Sequence, residues 1–185
     1  LSTIPGLQVT SLEPDPVLYD ELRERTAGLP RVTISNASTL DLRDQQFDAV
    51  IYVNVMEHIE DHLAELRRGR ELLRPGGMLG IIVPAMPSLY GSLDLKSGHF
   101  RRYRKASLVQ LLEAAGFEVV TIRHFDTAGV LPYWLSIRLG AMRALSPASA
   151  KLFDTVLVPA SMLADRVAPN LPFGKNLLVH ARRTG

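Results

Sequence analysis

The chain has 185 residues, enough for one domain with a sizeable core, and 46% of them are apolar, an ordinary share for a globular protein. Lys and Arg total 21 against 19 Asp and Glu, so the net charge of +2 gives no electrostatic footprint for nucleic acid. There is no cysteine, which excludes disulfides, thiolate metal sites and a Cys nucleophile.

Apolar or β-branched runs fall at residues 7–12, 31–34, 47–53, 78–83, 118–122 and 176–181, and each reads as a strand. Helical spacing separates several of them. Val17, Leu18 and Leu22 follow Pro16; Leu63, Leu66 and Leu73 run through residues 62–73; Leu108, Leu111, Leu112 and Ala115 follow Ser107. Pro14 and Pro16 stop a strand and open a helix. Pro75-Gly76-Gly77 reads as a helix end turning into a strand at Met78, and Gly116 as a helix C-terminal cap. This alternation predicts an α/β fold with a mostly parallel sheet and helices on both faces. Residues 129–172, broken by prolines at 132, 147, 159 and 169, read as a helical insertion within that single domain. No apolar run is long enough to span a bilayer and no leader pattern opens the chain, so a cytoplasmic protein is expected, without membrane insertion.

In an open α/β sheet, ligands bind beyond the carboxyl ends of strands. The first such end is Glu13, whose two oxygens match a vicinal diol; the same residue also suits a helix N-terminus. The second is Asn36-Ala37, able to pair with a purine edge or simply to turn the chain. The third is Asn54-Val55, followed by Met56-Glu57-His58.

Leu12-Glu13-Pro14-Asp15, Phe47-Asp48-Ala49-Val50, Asn54-Val55-Met56-Glu57-His58-Ile59 and Leu73-Arg74-Pro75-Gly76-Gly77-Met78-Leu79 stand in one order between residues 12 and 79. Together they resemble the class I S-adenosylmethionine-dependent methyltransferases, in the small-molecule branch known as type 11 or 12. Gly98-His99-Phe100-Arg101-Arg102-Tyr103 and Ala114-Ala115-Gly116-Phe117 resemble that branch too. The resemblance implies a Rossmann-like sheet with an antiparallel last strand and S-adenosyl-L-methionine as cofactor. It places Glu13 on the ribose, Asn36 and Ala37 on the adenine, and Asn54 with Val55 beside the methionine portion. It also implies a first strand and a glycine-rich loop ahead of Leu7, which the six residues there do not carry. No Asp/Asn-Pro-Pro-Tyr-like motif follows Val53, so oxygen is favoured over base nitrogen as the acceptor atom.

Methyl transfer from a sulfonium needs a base only where the acceptor must shed a proton. His99 is the first candidate and His58 the second, because an imidazole titrates near neutrality. Arg101 and Arg102 are candidates for holding an anionic acceptor, or else bind loop carbonyls; Tyr90 and Tyr103 line the acceptor pocket or pack the loop. The apolar insertion reads as a cap, with a lid over a lipid-like acceptor as the sharper version. No His/Asp/Glu group has ligand spacing in the sequence, so no metal is expected. A non-catalytic relative acting as a binding or scaffold protein is the alternative, and a nicotinamide oxidoreductase the third reading.

Overall fold

The computed structural model describes residues 4–131, 133–134, 155, 158–167 and 171–185. Six strands and five α-helices are seen among them: β1 (Val9–Leu12), α1 (Pro16–Thr26), β2 (Val32–Ser35), β3 (Phe47–Val53), α2 (His62–Glu71), β4 (Leu73–Pro84), α3 (Ser92–Lys96), α4 (Lys105–Ala114), β5 (Phe117–Phe125), α5 (Val158–Val167) and β6 (Asn176–Arg183). All six expected strands are present. Most of the insertion expected at 129–172 lies outside the described residues.

The chain divides into two compact units, residues 1–46 and 47–185. In the first, β1 and β2 pair in parallel, Val9 opposite Val32 and Leu12 opposite Ser35. Asp15 caps α1 by accepting from the amides of Val17 and Leu18, and Pro16 fits the first helical turn, where its missing N–H costs nothing. The apolar stripe expected on α1 is there but finds no core: Val17 and Leu18 are 73% and 52% exposed.

The second unit holds a four-stranded sheet in the order β3-β4-β6-β5. β3 and β4 are parallel, and β6 runs antiparallel to both β4 and β5. That is the antiparallel last strand expected. β4 begins at Leu73, five residues before the expected start at Met78. The reason is a bulge: Phe47 pairs with Leu73 and Ala49 with Met78, so Arg74-Pro75-Gly76-Gly77 is looped out of the ladder rather than preceding it.

Leu66 from α2, Leu108 and Leu112 from α4, and Leu79, Ile81, Val83, Phe117, Leu177 and Val179 from the sheet form one buried cluster. Gly69 matters here, because a Cβ at that position would sit 2.8 Å from the Tyr52 hydroxyl, which donates to Glu65. Gly116 ends α4 at φ +85°, the left-handed conformation of a helix C-terminal cap. Each strand that approaches the site turns sharply just past its carboxyl end. Asn54 follows β3 at φ 51°, Met86 follows β4 at 56°, and Asp126 follows β5 at 59°. These turns open the space where side chains gather.

Candidate active site

A cavity of about 330 Å³ lies at the ends of β3 and β4. It is lined by residues that include Asn54, Glu57, Asp94, His99, Arg102, Tyr133 and Lys175. Its floor is built by a loop-on-loop clamp. Phe100 donates its amide to the Glu57 carbonyl at 2.8 Å, and Tyr103 donates its amide to the Pro84 carbonyl at 2.8 Å. The Arg101 guanidinium reaches the carbonyls of Ile59 and Glu60, each at 2.9 Å. The Tyr103 hydroxyl donates to the Met56 carbonyl at 2.9 Å, so the nearby His62 Nδ1, at 3.0 Å, is the donor in their shared bond.

At the centre is Asp94, on the short helix α3 and fully buried. Its Oδ1 takes the His99 Nδ1 hydrogen and the Arg102 Nε hydrogen, each at 2.8 Å. Its Oδ2 takes the Gly91 amide at 3.0 Å and the Tyr133 hydroxyl at 3.3 Å. Arg102 donates in turn to the Tyr133 oxygen, and its guanidinium lies 4.6 Å from that ring's centre. Burial alone would raise the Asp94 pKa, but the bonds from Arg102, His99 and Gly91 outweigh it and hold the carboxyl below its usual range. An ionised carboxylate on Nδ1 fixes that nitrogen as the protonated one. When His99 is neutral, the lone pair is therefore on Nε2.

Glu57 stands beside this pair, 1% exposed, with no hydrogen-bond partner on Oε2. Burial pushes its pKa up, more than its own backbone amide and the charges of His99 and Arg102 pull it down. His58 is exposed and packs its ring edge-on against His99, centroids 4.7 Å apart. Burial of its ring and the neighbouring His99 lower its pKa, with the Gly98 backbone acting in the opposite sense.

Of the residues singled out in the sequence, His99, Arg102 and Asn54 line the cavity. Arg101 is committed to loop carbonyls, the alternative the sequence left open for it. Tyr90 donates to the His99 carbonyl at 2.7 Å, and Tyr103 is buried, so both hydroxyls hold the loop and neither residue is part of this lining. In the first unit, Glu13 and Asn36 stand at adjacent strand ends. The Asn36 side-chain amide donates to the carbonyls of Glu13 and Pro14, at 2.8 and 3.2 Å. Glu13 Oε1 accepts the Asp15 amide at 3.0 Å, leaving its second oxygen available to a ligand. Ala37 follows in the same turn, and Val55 is exposed beside Asn54.

Sequence reasoning passed over Asp94, Glu57 and Tyr133. Asp94 lies five residues before His99, and its place in the first turn of α3 was the available signal. Tyr133 sits inside an apolar run and reads as packing. Glu57 stood in a quoted motif, but its burial is a property of the fold.

The profile of the methyltransferase domain family matches residues 6–122 of this chain. A probable S-adenosylmethionine-dependent methyltransferase of Mycolicibacterium smegmatis is 36% identical over 118 residues, 60% of this chain and 44% of that protein. The chain thus spans less than half the length of that curated relative. Among solved structures, the [4+2]-cyclase SpnF superimposes with a TM-score of 0.61 at 22% identity, covering 99% of this chain and 69% of the other. The 1,6-didemethyltoxoflavin-N1-methyltransferase of Burkholderia thailandensis gives 0.59 at 19% identity, covering 97% and 63%. Identities this low speak to the fold alone. With the profile spanning more than half of its length, the chain belongs to the methyltransferase domain family and carries the class I S-adenosylmethionine-dependent methyltransferase fold.

Proposed function

We propose that the chain acts in S-adenosylmethionine-dependent methyl transfer to a small-molecule acceptor seated in the cavity beyond β3 and β4. The observation that carries this reading is the Asp94–His99 pair on the cavity wall. A histidine whose Nδ1 is held by a buried carboxylate offers Nε2 as a proton acceptor, with its ring already oriented. An acceptor hydroxyl would give its proton to that nitrogen as its oxygen becomes methylated, and oxygen therefore remains favoured over base nitrogen.

The cofactor, when bound, supplies an electrophilic methyl group on a sulfonium. The residues present fit it in part. In the first unit, the free Glu13 oxygen suits a ribose hydroxyl. The Asn36 side-chain nitrogen is engaged by two backbone carbonyls, which leaves its carbonyl oxygen to face adenine. Ala37 beside it is small enough to leave a purine room. In the second unit, Asn54 lines the cavity and Val55 is exposed beside it. Arg102 is a positioning residue, because its charge is paired with Asp94 and no longer available to an anionic acceptor.

Calorimetric titration with S-adenosylmethionine, its demethylated product and NAD tests the assignment. Binding of the first two and not the third is expected. Saturable binding of NAD alone would replace the methyltransferase reading with an oxidoreductase one, and binding of none would favour a scaffold.

A further inference from the structure

Glu57, His58 and His99 have a second use. One ligand-type atom from each lies within 4.8 Å of the other two, the sole such His/Cys/Asp/Glu grouping among the described residues. We propose that these three side chains bind a divalent transition-metal ion, zinc or a cation of similar size and softness.

Four features of the site support it. Glu57 Oε2 is buried with no hydrogen-bond partner, a costly arrangement that a cation beside it would offset. Two imidazoles and one carboxylate are a donor set suited to zinc, iron or cobalt, whereas magnesium and calcium prefer oxygen ligands. Histidines that ligate metal ordinarily donate their other ring N–H to a carboxylate or carbonyl, and His99 already gives Nδ1–H to Asp94 at 2.8 Å. His58 is exposed, so its ring can move. Movement is needed, because zinc bonds of about 2.0–2.1 Å in a tetrahedron put ligand atoms roughly 3.4 Å apart. Closing from 4.8 Å asks little of a side chain that is not packed in the core.

Three protein ligands leave a position open, the arrangement of a catalytic rather than a structural ion. Glu57 and His99 both line the cavity, so an ion held by them would adjoin the space assigned above to the acceptor. Ion binding itself rests on the geometry of the three side chains; only its contact with an acceptor rests on the methyltransferase reading. With the ion bound, His99 Nε2 would be a ligand, and an acceptor hydroxyl beside the ion would release its proton to water rather than to His99.

The test is titration of the metal-stripped chain with Zn²⁺, Co²⁺ and Mg²⁺ in the absence of S-adenosylmethionine. One equivalent of Zn²⁺ should bind with Kd below about 100 μM, with Mg²⁺ at least about 10-fold weaker. Co²⁺ should give the visible absorption of a low-coordinate ion. Glu57→Gln and His99→Ala should each weaken Zn²⁺ at least about 10-fold, and so should His58→Ala, whose exposed position leaves the fold undisturbed. No saturable Zn²⁺ binding below about 100 μM, or unchanged affinity in His58→Ala together with Glu57→Gln, would overturn the site. The cofactor titration is separate, so loss of either result identifies which reading has failed.

Discussion

Asp94 and His99 are five residues apart in the chain and joined twice, since the His99 amide donates to the Asp94 carbonyl and its Nδ1 to the Asp94 carboxylate, both at 2.8 Å. The backbone bond fixes where the imidazole starts, and the side-chain bond fixes which way it turns. Asp94→Asn should therefore change the tautomer as well as the stability. Nitrogen NMR of the imidazole should show Nδ1 protonated in the parent chain and a mixture of tautomers in the variant. Unfolding free energy should fall by about 3 kcal/mol, because Arg102 is left as a buried charge without its partner. An unchanged tautomer would remove Asp94 from its orienting role.

Glu13→Ala tests the ribose assignment. A carboxylate bonded to a ligand hydroxyl contributes about 1.5–3 kcal/mol, so S-adenosylmethionine affinity should drop roughly 10- to 100-fold. Thermal stability should stay close to that of the parent, since the residue is only half-buried. Equal affinity in calorimetry would mean that the acid serves the start of α1 alone.

Acid should weaken the fold across the range in which these histidines titrate. Burial and the nearby Arg101 lower the pKa of His62, and burial with Lys105 lowers that of His124. Both groups bind protons less readily folded than unfolded, where histidine titrates near about 6.5. Their contribution is complete above that value and is lost as pH falls through it toward the lower folded pKa. Tm followed from pH 8 to pH 5 should decline over this range, and His62→Gln should flatten the decline. A level profile in the parent chain would contradict the sign.

Leu112 is fully buried on α4 against the sheet. Leu112→Ala should destabilise by about 3 kcal/mol, within the usual range for a buried leucine, and lower Tm by about 6–12 °C. A loss under about 1 kcal/mol would show that the helix can collapse onto the space left behind.

The architecture was legible because its cues are local. Strand runs such as 47–53 and 176–181, the Asp15-Pro16 helix start and the Gly116 cap depend on neighbouring residues and on backbone preference. The loop after α2 was read one step wrongly, since a bulge that keeps Leu73 in the ladder depends on the partner strand and leaves no mark in a single segment. The site was legible only in outline. His99 could be singled out from its setting, but its partner Asp94 looks like an ordinary first-turn acid until the fold buries it. Glu57 and His99 are 42 residues apart, so no spacing rule could join them into a ligand set. Arg101 and Tyr103 carried two readings each in the sequence, and their bonds to backbone carbonyls become visible only in the fold.

Tyr133 gives the cavity a division of labour. One wall is held together by hydrogen bonds between residues 56–60 and 97–104, while Tyr133 arrives from a different stretch of the chain and touches that wall through its hydroxyl and ring face. Sequence drift around Tyr133 can thus reshape the cavity while the Asp94–His99 side keeps its geometry. A scaffold arranged this way can change its substrate in evolution by altering one segment and leaving the other untouched.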